Sequence, residues 1–203
     1  MDYAIFLYSE GIYMKLLKHK NFTIIFDFLT EHEIAIFSKY FLNVKWQESH
    51  GDKHFSNNIT SSDIGEIASK VQGRLKSTIQ NIYSCILSDE TLGTFVKYRH
   101  GHGLPLHYDA MTVDDITGEK TINKTFSGCT TTDMTSILYL KNDSIGGLIS
   151  FPNLDITYYP LKGSVIIFPS FKEYEHEVSP VTSGDRIITT TFWHVFDDTQ
   201  NKI

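Results

Sequence analysis

The chain has 203 residues, 41% apolar, 13% aromatic and 21% charged, with a formal net charge of −6. That length suits one sizeable core, and the composition is that of an ordinary globular protein, not a disordered or disulfide-framed one. The acidic balance argues against a nucleic-acid substrate, because phosphate binding calls for a basic surface.

The first residues, MDYAIFLYSEGIYM, are apolar but interrupted by Asp2 and Glu10, and no basic stretch precedes them. They make a poor signal peptide and are too short to span a membrane, so no membrane association is expected. Met14 opens a more ordinary start, MKLLKHKN. The Asn-x-Thr triplets at Asn21, Asn58 and Asn123, and the Asn-x-Ser at Asn142, are read as chance. Cys85 and Cys129 lie far apart with no CxxC pair, which argues against a zinc ribbon and for free thiols in a reducing, cytoplasmic setting.

Residues 21–28, NFTIIFDF, read as a strand. Residues 31–43 carry apolar side chains at helical spacing (Ile34, Ile36, Phe37, Tyr40, Phe41), and Thr30 with Glu33 forms a capping-box pattern. Residues 44–61 are polar and read as loop. Residues 62–87 make the strongest helix: Ser62 can cap it, and Ile64, Ile67, Ala68, Val71, Leu75, Ile79, Ile82 and Tyr83 fall on one stripe, with Gly73 a weak point.

After residue 90 the texture changes to short strands near 94–99, 105–109, 135–140, 147–151, 155–159, 163–168, 175–179 and 186–194. Gly146-Gly147, Pro160, Lys162-Gly163, Pro169 and Ser183-Gly184-Asp185 punctuate them. Eight short strands at this spacing point to a β-sandwich or barrel with the N-terminal helices covering one sheet. We expect one domain over 1–203, with 1–90 a helical support region and 91–196 the β core. Residues 110–134 are long, polar and Thr-rich, as a functional or disordered loop would be, and a lid is one hypothesis for them.

His107-Tyr108-Asp109 falls in one predicted strand, where residues two apart share a face. A third ligand from another strand would complete two imidazoles and one carboxylate on one side of a metal. That set leaves open positions, as non-haem Fe(II) oxygenases require. The triplet alone is weak, since about 0.6 His-x-Asp triplets arise by chance in this composition. A second one, His50-Gly51-Asp52, sits in the polar run ESHGDKH with no predicted strand beside it and is read as solvated loop, with His54 nearby. Downstream context favours the first triplet. His176 lies in a predicted strand after Phe168-Pro169-Ser170, and Arg186 opens the strand RIITTTFW. By alternation Arg186, Ile188, Thr190 and Phe192 share a face, so a cation at the rim, a hydroxyl and an aromatic wall would suit a small dicarboxylate.

These segments together resemble the prolyl-4-hydroxylase-like branch of the 2-oxoglutarate/Fe(II) dioxygenases. Tyr98-Arg-His-Gly-His-Gly followed by His107-Tyr-Asp109 is similar to that family's opening strand, loop and first ligands. Ser136-Ile-Leu-Tyr139-Leu with Gly146-Gly147 resembles its next hairpin, and Lys162-Gly-Ser-Val-Ile-Ile-Phe168-Pro-Ser the strand before the distal histidine. His176-Glu-Val-Ser-Pro-Val-Thr-Ser-Gly-Asp-Arg186, closed by Phe192-Trp193, is similar to hydroxylases of the PKHD type.

The resemblance covers about half the chain. It implies a double-stranded β-helix (a jelly-roll or cupin-like barrel), Fe(II) on His107, Asp109 and His176, and 2-oxoglutarate and O2 as co-substrates. Arg186 would bind the distal carboxylate, with Tyr98, Tyr139 and Thr190 beside the co-substrate. Asp109 favours hydroxylation, since halogenating relatives lack that carboxylate. A prolyl residue in a peptide or protein is the first substrate expectation and a free amino acid or small metabolite the second, with Arg99, His100 and His102 as candidate contacts. The sequence does not report oligomeric state. The rival readings are a non-catalytic β-barrel binding module and a structural zinc site, which would want a fourth ligand.

Overall fold

A computed structural model describes residues 2–9, 12–48, 54–57, 62–92, 94–98, 100–113, 120–122 and 133–196. Two β-sheets face each other. The larger has nine strands in the spatial order Asp2–Ser9, Ile12–His19, Phe22–Phe26, Val165–Pro169, Met134–Asn142, Arg186–Trp193, Phe95–Tyr98, His54–Asn57 and Gln47–Glu48. The smaller has four, in the order Ile156–Tyr158, Ile149–Phe151, His176–Val178 and Leu104–His107. All the pairings between the described strands are antiparallel, and the chain is a mainly β protein with the double-stranded β-helix architecture.

Alternation along the central strands splits the core in two. Leu138, Leu140, Val165, Ile167, Ile187 and Trp193 point to one face of the large sheet, where they pack against helices α1 (Glu31–Phe41) and α2 (Ser62–Tyr83). Ile137, Tyr139, Ile166, Phe168 and Ile188 point to the other and meet Ile149, Phe151, Tyr158 and Val178 from the small sheet. The helices therefore cover the outside of the large sheet, and the space between the sheets is the barrel interior.

Helix α1 begins with the capping box expected: the Glu33 amide donates to Thr30 Oγ1 and the Thr30 amide to Glu33 Oε2. The same Glu33 carboxylate receives Arg74 of α2 in a two-pronged pair at 2.8 and 2.7 Å, both side chains almost fully buried. That ion pair ties the two helices together and has no local sequence signature.

Several expectations need correction. The eight strands after residue 90 are all present, but Asp109 lies in the turn after Leu104–His107 and not within the strand. Helix α2 stops at Tyr83 because Ser84 takes φ 52°, and Ile86–Leu87 then pairs with Val195–Phe196. The first 90 residues are not only helical. Asp2–Ser9 and Ile12–His19 form a hairpin that extends the large sheet, and His54–Asn57, read from sequence as loop, pairs with Phe95–Tyr98. Only Phe55 among its four residues is strongly apolar, so no alternation marks that strand in the sequence. Within 110–134, Met111–Val113 and Lys120–Ile122 pair as a small hairpin. Residues 114–119 and 123–132 of that segment (Cys129 among them), the His50-Gly51-Asp52 triplet, the Ser62 side chain and Arg99 lie outside the described residues. No helix of the described residues is long and apolar enough to cross a membrane.

Candidate metal centre

His107 and His176 come from adjacent strands of the small sheet and sit directly opposite each other in the register. Antiparallel partners share a face, so both imidazoles enter the barrel side by side, with ring centroids 4.4 Å apart. Asp109 returns from the turn, its Oδ1 lying 3.7 Å from His107 Nε2 and 4.0 Å from His176 Nε2. One donor atom from each of the three lies within 4.8 Å of the others, and no fourth His, Cys, Asp or Glu joins them among the described residues. A closed four-ligand zinc site is therefore a poor match, and an open two-His, one-carboxylate face is a good one.

The tautomers are set by the backbone. Nδ1 of His107 donates to the Pro105 carbonyl at 2.7 Å, and Nδ1 of His176 to the Tyr174 carbonyl at 3.1 Å. A carbonyl only accepts, so each Nδ1 carries the proton and each Nε2 presents its lone pair to the metal position. Burial lowers the His176 pKa, with the Asp109 carboxylate opposing and His107 adding to the shift, so the ring is neutral and fit to ligate near pH 7. Phe151 and Phe168 wall the His176 ring at 5.1 and 5.0 Å between centroids. Asp109 Oδ2 is buried without a hydrogen-bond partner.

Arg186 supplies a second orphan. Its side chain is completely buried, yet Nε, Nη1 and Nη2 all lack a hydrogen-bond partner. The guanidinium lies over the Tyr98 ring at 4.1 Å and near the Tyr139 ring at 5.4 Å. The Tyr139 hydroxyl is buried and unpartnered too, and burial raises its pKa above the usual phenol range against the pull of Arg186. Arg186 was expected at the rim, whereas the fold puts it at the closed end of the barrel. Gly147 makes room for it: with φ +69° it has no side chain, and a Cβ there would lie 2.8 Å from Arg186 Cδ. A buried charge with no partner is too unfavourable to persist without a purpose. The arrangement fits a group that brings an anionic end to Arg186 and metal-binding oxygens to the triad.

The other expected residues fall as follows. Thr190 lies half-buried on the interior face of the Arg186 strand, four residues nearer the open end. Phe192 continues that face but is 45% exposed, so it borders the mouth and does not wall the closed end. His100 and His102 belong to a loop stitched to Val181 by the Gly101 amide and the His102 carbonyl. Val181 in turn packs at the Gly147–Arg186 cradle, so that loop lies beside the Arg186 end of the barrel. Sequence reasoning missed the Arg74–Glu33 pair and the Gly147 cradle; the Gly-Gly pair was read only as a turn.

The family profile of the 2OG-Fe(II) oxygenase superfamily matches residues 93–194. The chain belongs to that superfamily and is a 2-oxoglutarate- and Fe(II)-dependent dioxygenase, with His107, Asp109 and His176 able to hold the metal. Its fold is similar to solved structures of low identity. One is the viral collagen prolyl hydroxylase of Paramecium bursaria Chlorella virus-1 in complex with 2-oxoglutarate (TM-score 0.62, 22% identity, covering 88% of this chain and 97% of that one). Another is a Pseudomonas putida prolyl-4-hydroxylase (TM-score 0.58, 15% identity, 87% and 94%). A third is HygX of Streptomyces hygroscopicus with nickel and 2-oxoglutarate bound (TM-score 0.60, 12% identity, 85% and 82%). No curated protein sequence matches the chain significantly.

Proposed function

We propose that the chain hydroxylates an unactivated C–H bond of a prolyl residue in a peptide or protein. In this reading His107, Asp109 and His176 hold Fe(II), and Arg186 takes the distal carboxylate of 2-oxoglutarate. The observation that carries the site assignment is the buried, unpartnered guanidinium of Arg186 in the same barrel as the three ligands. A binding module of the same fold has no need of either feature. Support for the prolyl substrate is coarser. It rests on the sequence resemblance and on fold neighbours that are prolyl hydroxylases.

Iron with 2-oxoglutarate supplies the oxygen activation and the abstraction of hydrogen from the substrate. The protein's part is positioning. The Pro105 and Tyr174 carbonyls fix both imidazoles with Nε2 inward. Arg186 binds a carboxylate through two parallel N–H donors, and the Tyr139 hydroxyl adds a third. Tyr98 lies under the guanidinium and holds its plane. Phe151 and Phe168 keep water from the His176 side. Thr190 lines the path between the closed end and the mouth. The β core at 91–196 carries these groups; of residues 1–90, helices α1 and α2 support it from outside, while strand Phe22–Phe26 joins the large sheet and adds Phe22 and Ile24 to the barrel interior.

Anaerobic titration of the apo-protein with Fe(II) and 2-oxoglutarate tests the cofactor pair. A weak visible charge-transfer band is expected only when both are present, and His176→Ala abolishes it. Absence of the band in the wild type refutes the site assignment. Succinate release with proline-containing peptides, compared with free amino acids, then tests the substrate. HygX, whose solved complex holds hygromycin B, is the reason to carry small molecules in the same screen as a second reading.

A further inference from the structure

The three residues around the co-substrate end come from three neighbouring strands: Tyr139, Arg186 and Tyr98. On the opposite face of those same strands lies a group of charges that the chemistry does not use. Lys141, Ile187 and Lys97 are cross-strand partners and so share a face. Ile187 packs toward the helices, which puts both lysines outside the barrel. Asp185, two residues before Ile187, shares that face and bridges them. Lys97 Nζ reaches Asp185 Oδ1 and Lys141 Nζ reaches Asp185 Oδ2, each at 2.7 Å.

Two further features fix this bridge. A β-bulge between Tyr139 and Lys141 changes the parity of the strand, so Tyr139 faces inward while Lys141 faces outward. Asp143 and Asp185 exchange hydrogen bonds: the Asp185 amide donates to Asp143 Oδ1 at 2.7 Å, and the Asp143 amide to the Asp185 carbonyl. Asp185 is therefore held at its backbone by Asp143 and at its carboxylate by two lysines, all immediately before Arg186.

We propose that the Lys97–Asp185–Lys141 bridge is a positioning device for Arg186. It fastens the three strands together at the level where Tyr98, Arg186 and Tyr139 meet. It also occupies the carboxylate adjacent in sequence to Arg186 on the far face, which leaves the guanidinium uncommitted for an incoming carboxylate. Lys97, Asp185 and Lys141 touch neither metal nor co-substrate and act only through the strand geometry. The inference rests on the reading of Arg186 given above. Its chemical consequence is selective: loosening the bridge weakens recognition of the distal carboxylate, not of the metal-chelating end.

The test is calorimetric binding to the Mn(II)-loaded, full-length protein, with 2-oxoglutarate compared with 2-oxobutyrate, which keeps the keto acid and lacks the distal carboxylate. Asp185→Asn, and separately the double variant Lys97→Gln/Lys141→Gln, are expected to weaken 2-oxoglutarate several-fold and to leave 2-oxobutyrate unchanged. Lys97→Arg/Lys141→Arg, which keeps the charges, is expected to retain wild-type affinity. Arg186→Ala is the control for the underlying reading and should bring the two ligands to similar affinity. If Arg186→Ala does so while the bridge variants bind 2-oxoglutarate like wild type, the positioning role is overturned and the pocket stands. If Arg186→Ala still binds 2-oxoglutarate much more tightly than 2-oxobutyrate, the pocket reading itself fails, and the bridge proposal with it. Equal weakening of both ligands in the bridge variants marks general loosening of the barrel and also overturns the proposal.

Discussion

Among the described residues two arginines are buried, one on each side of the large sheet, and only one of them has a carboxylate. Arg74, on the helical side, gives both terminal nitrogens to Glu33 and a further bond to the Phe28 carbonyl, leaving only Nε without a partner. Arg186, on the barrel side, has no hydrogen-bond partner for any of its guanidinium nitrogens and is held against tyrosine rings. Burial and charge are the same in the two cases, so the difference lies in what completes each guanidinium. A structural arginine carries its counter-ion within the fold, and a binding arginine is completed by what it binds.

The comparison is sharpest when each arginine is replaced by a residue of similar length without charge. Arg74→Met leaves Glu33 buried and uncompensated, and should reduce folding stability by about 3–5 kcal/mol. Urea unfolding measures it, and a loss within error of zero would contradict a structural role. Arg186→Met should do the reverse. It is expected to weaken 2-oxoglutarate binding by about 2–5 kcal/mol, the scale for losing one partner of a buried charge pair. It should also leave the ligand-free melting temperature unchanged or raised, since an unpaired buried charge is removed. Thermal melts with and without 2-oxoglutarate check both halves, and a large fall in the ligand-free melt would mean Arg186 has a structural partner.

Gly147→Ala probes the cradle. The added methyl meets Arg186 Cδ in a backbone conformation that disfavours side chains, with an expected cost of about 1–3 kcal/mol in stability. Apparent affinity for 2-oxoglutarate should fall with it; unchanged affinity would show that the Arg186 stem can move aside freely.

The smallest effect is one of pH. Burial raises the Glu33 carboxyl, but the Arg74 bonds and charge and the Thr30 bonds outweigh it and hold the pKa below the usual carboxylate range. A folded-state pKa below the unfolded one contributes stability above the unfolded value, and that contribution is lost as pH falls through the folded value. Urea midpoints of the wild type should therefore drop more steeply below about pH 4–5 than those of Glu33→Gln. Parallel acid limbs would remove Glu33 from the account.

Much of the β core was legible in sequence because its strands are punctuated by Gly, Pro and Asp at turns and filled with Ile, Val and Phe between them. The Thr30–Glu33 cap was legible for a similar reason: it is a contact between residues three apart. The short strand His54–Asn57 and the N-terminal hairpin were not, because their pairing is decided by strands already in place. Asp109 was read as part of a strand and lies in a turn, yet reaches the metal position because two residues of extended or turning chain span a similar distance.

The sequence by itself determined the donor set, His107, Asp109 and His176, and the cation at Arg186, since residue type and order along the chain suffice to propose them. Tertiary structure decided that the two histidines stand opposite each other across one strand pair, that Arg186 is wholly buried beneath Gly147, and that Glu33 serves Arg74 as well as Thr30. Each of these depends on strand register or helix docking. Those are set by the packing of both faces of the large sheet at once, and no local pattern records it.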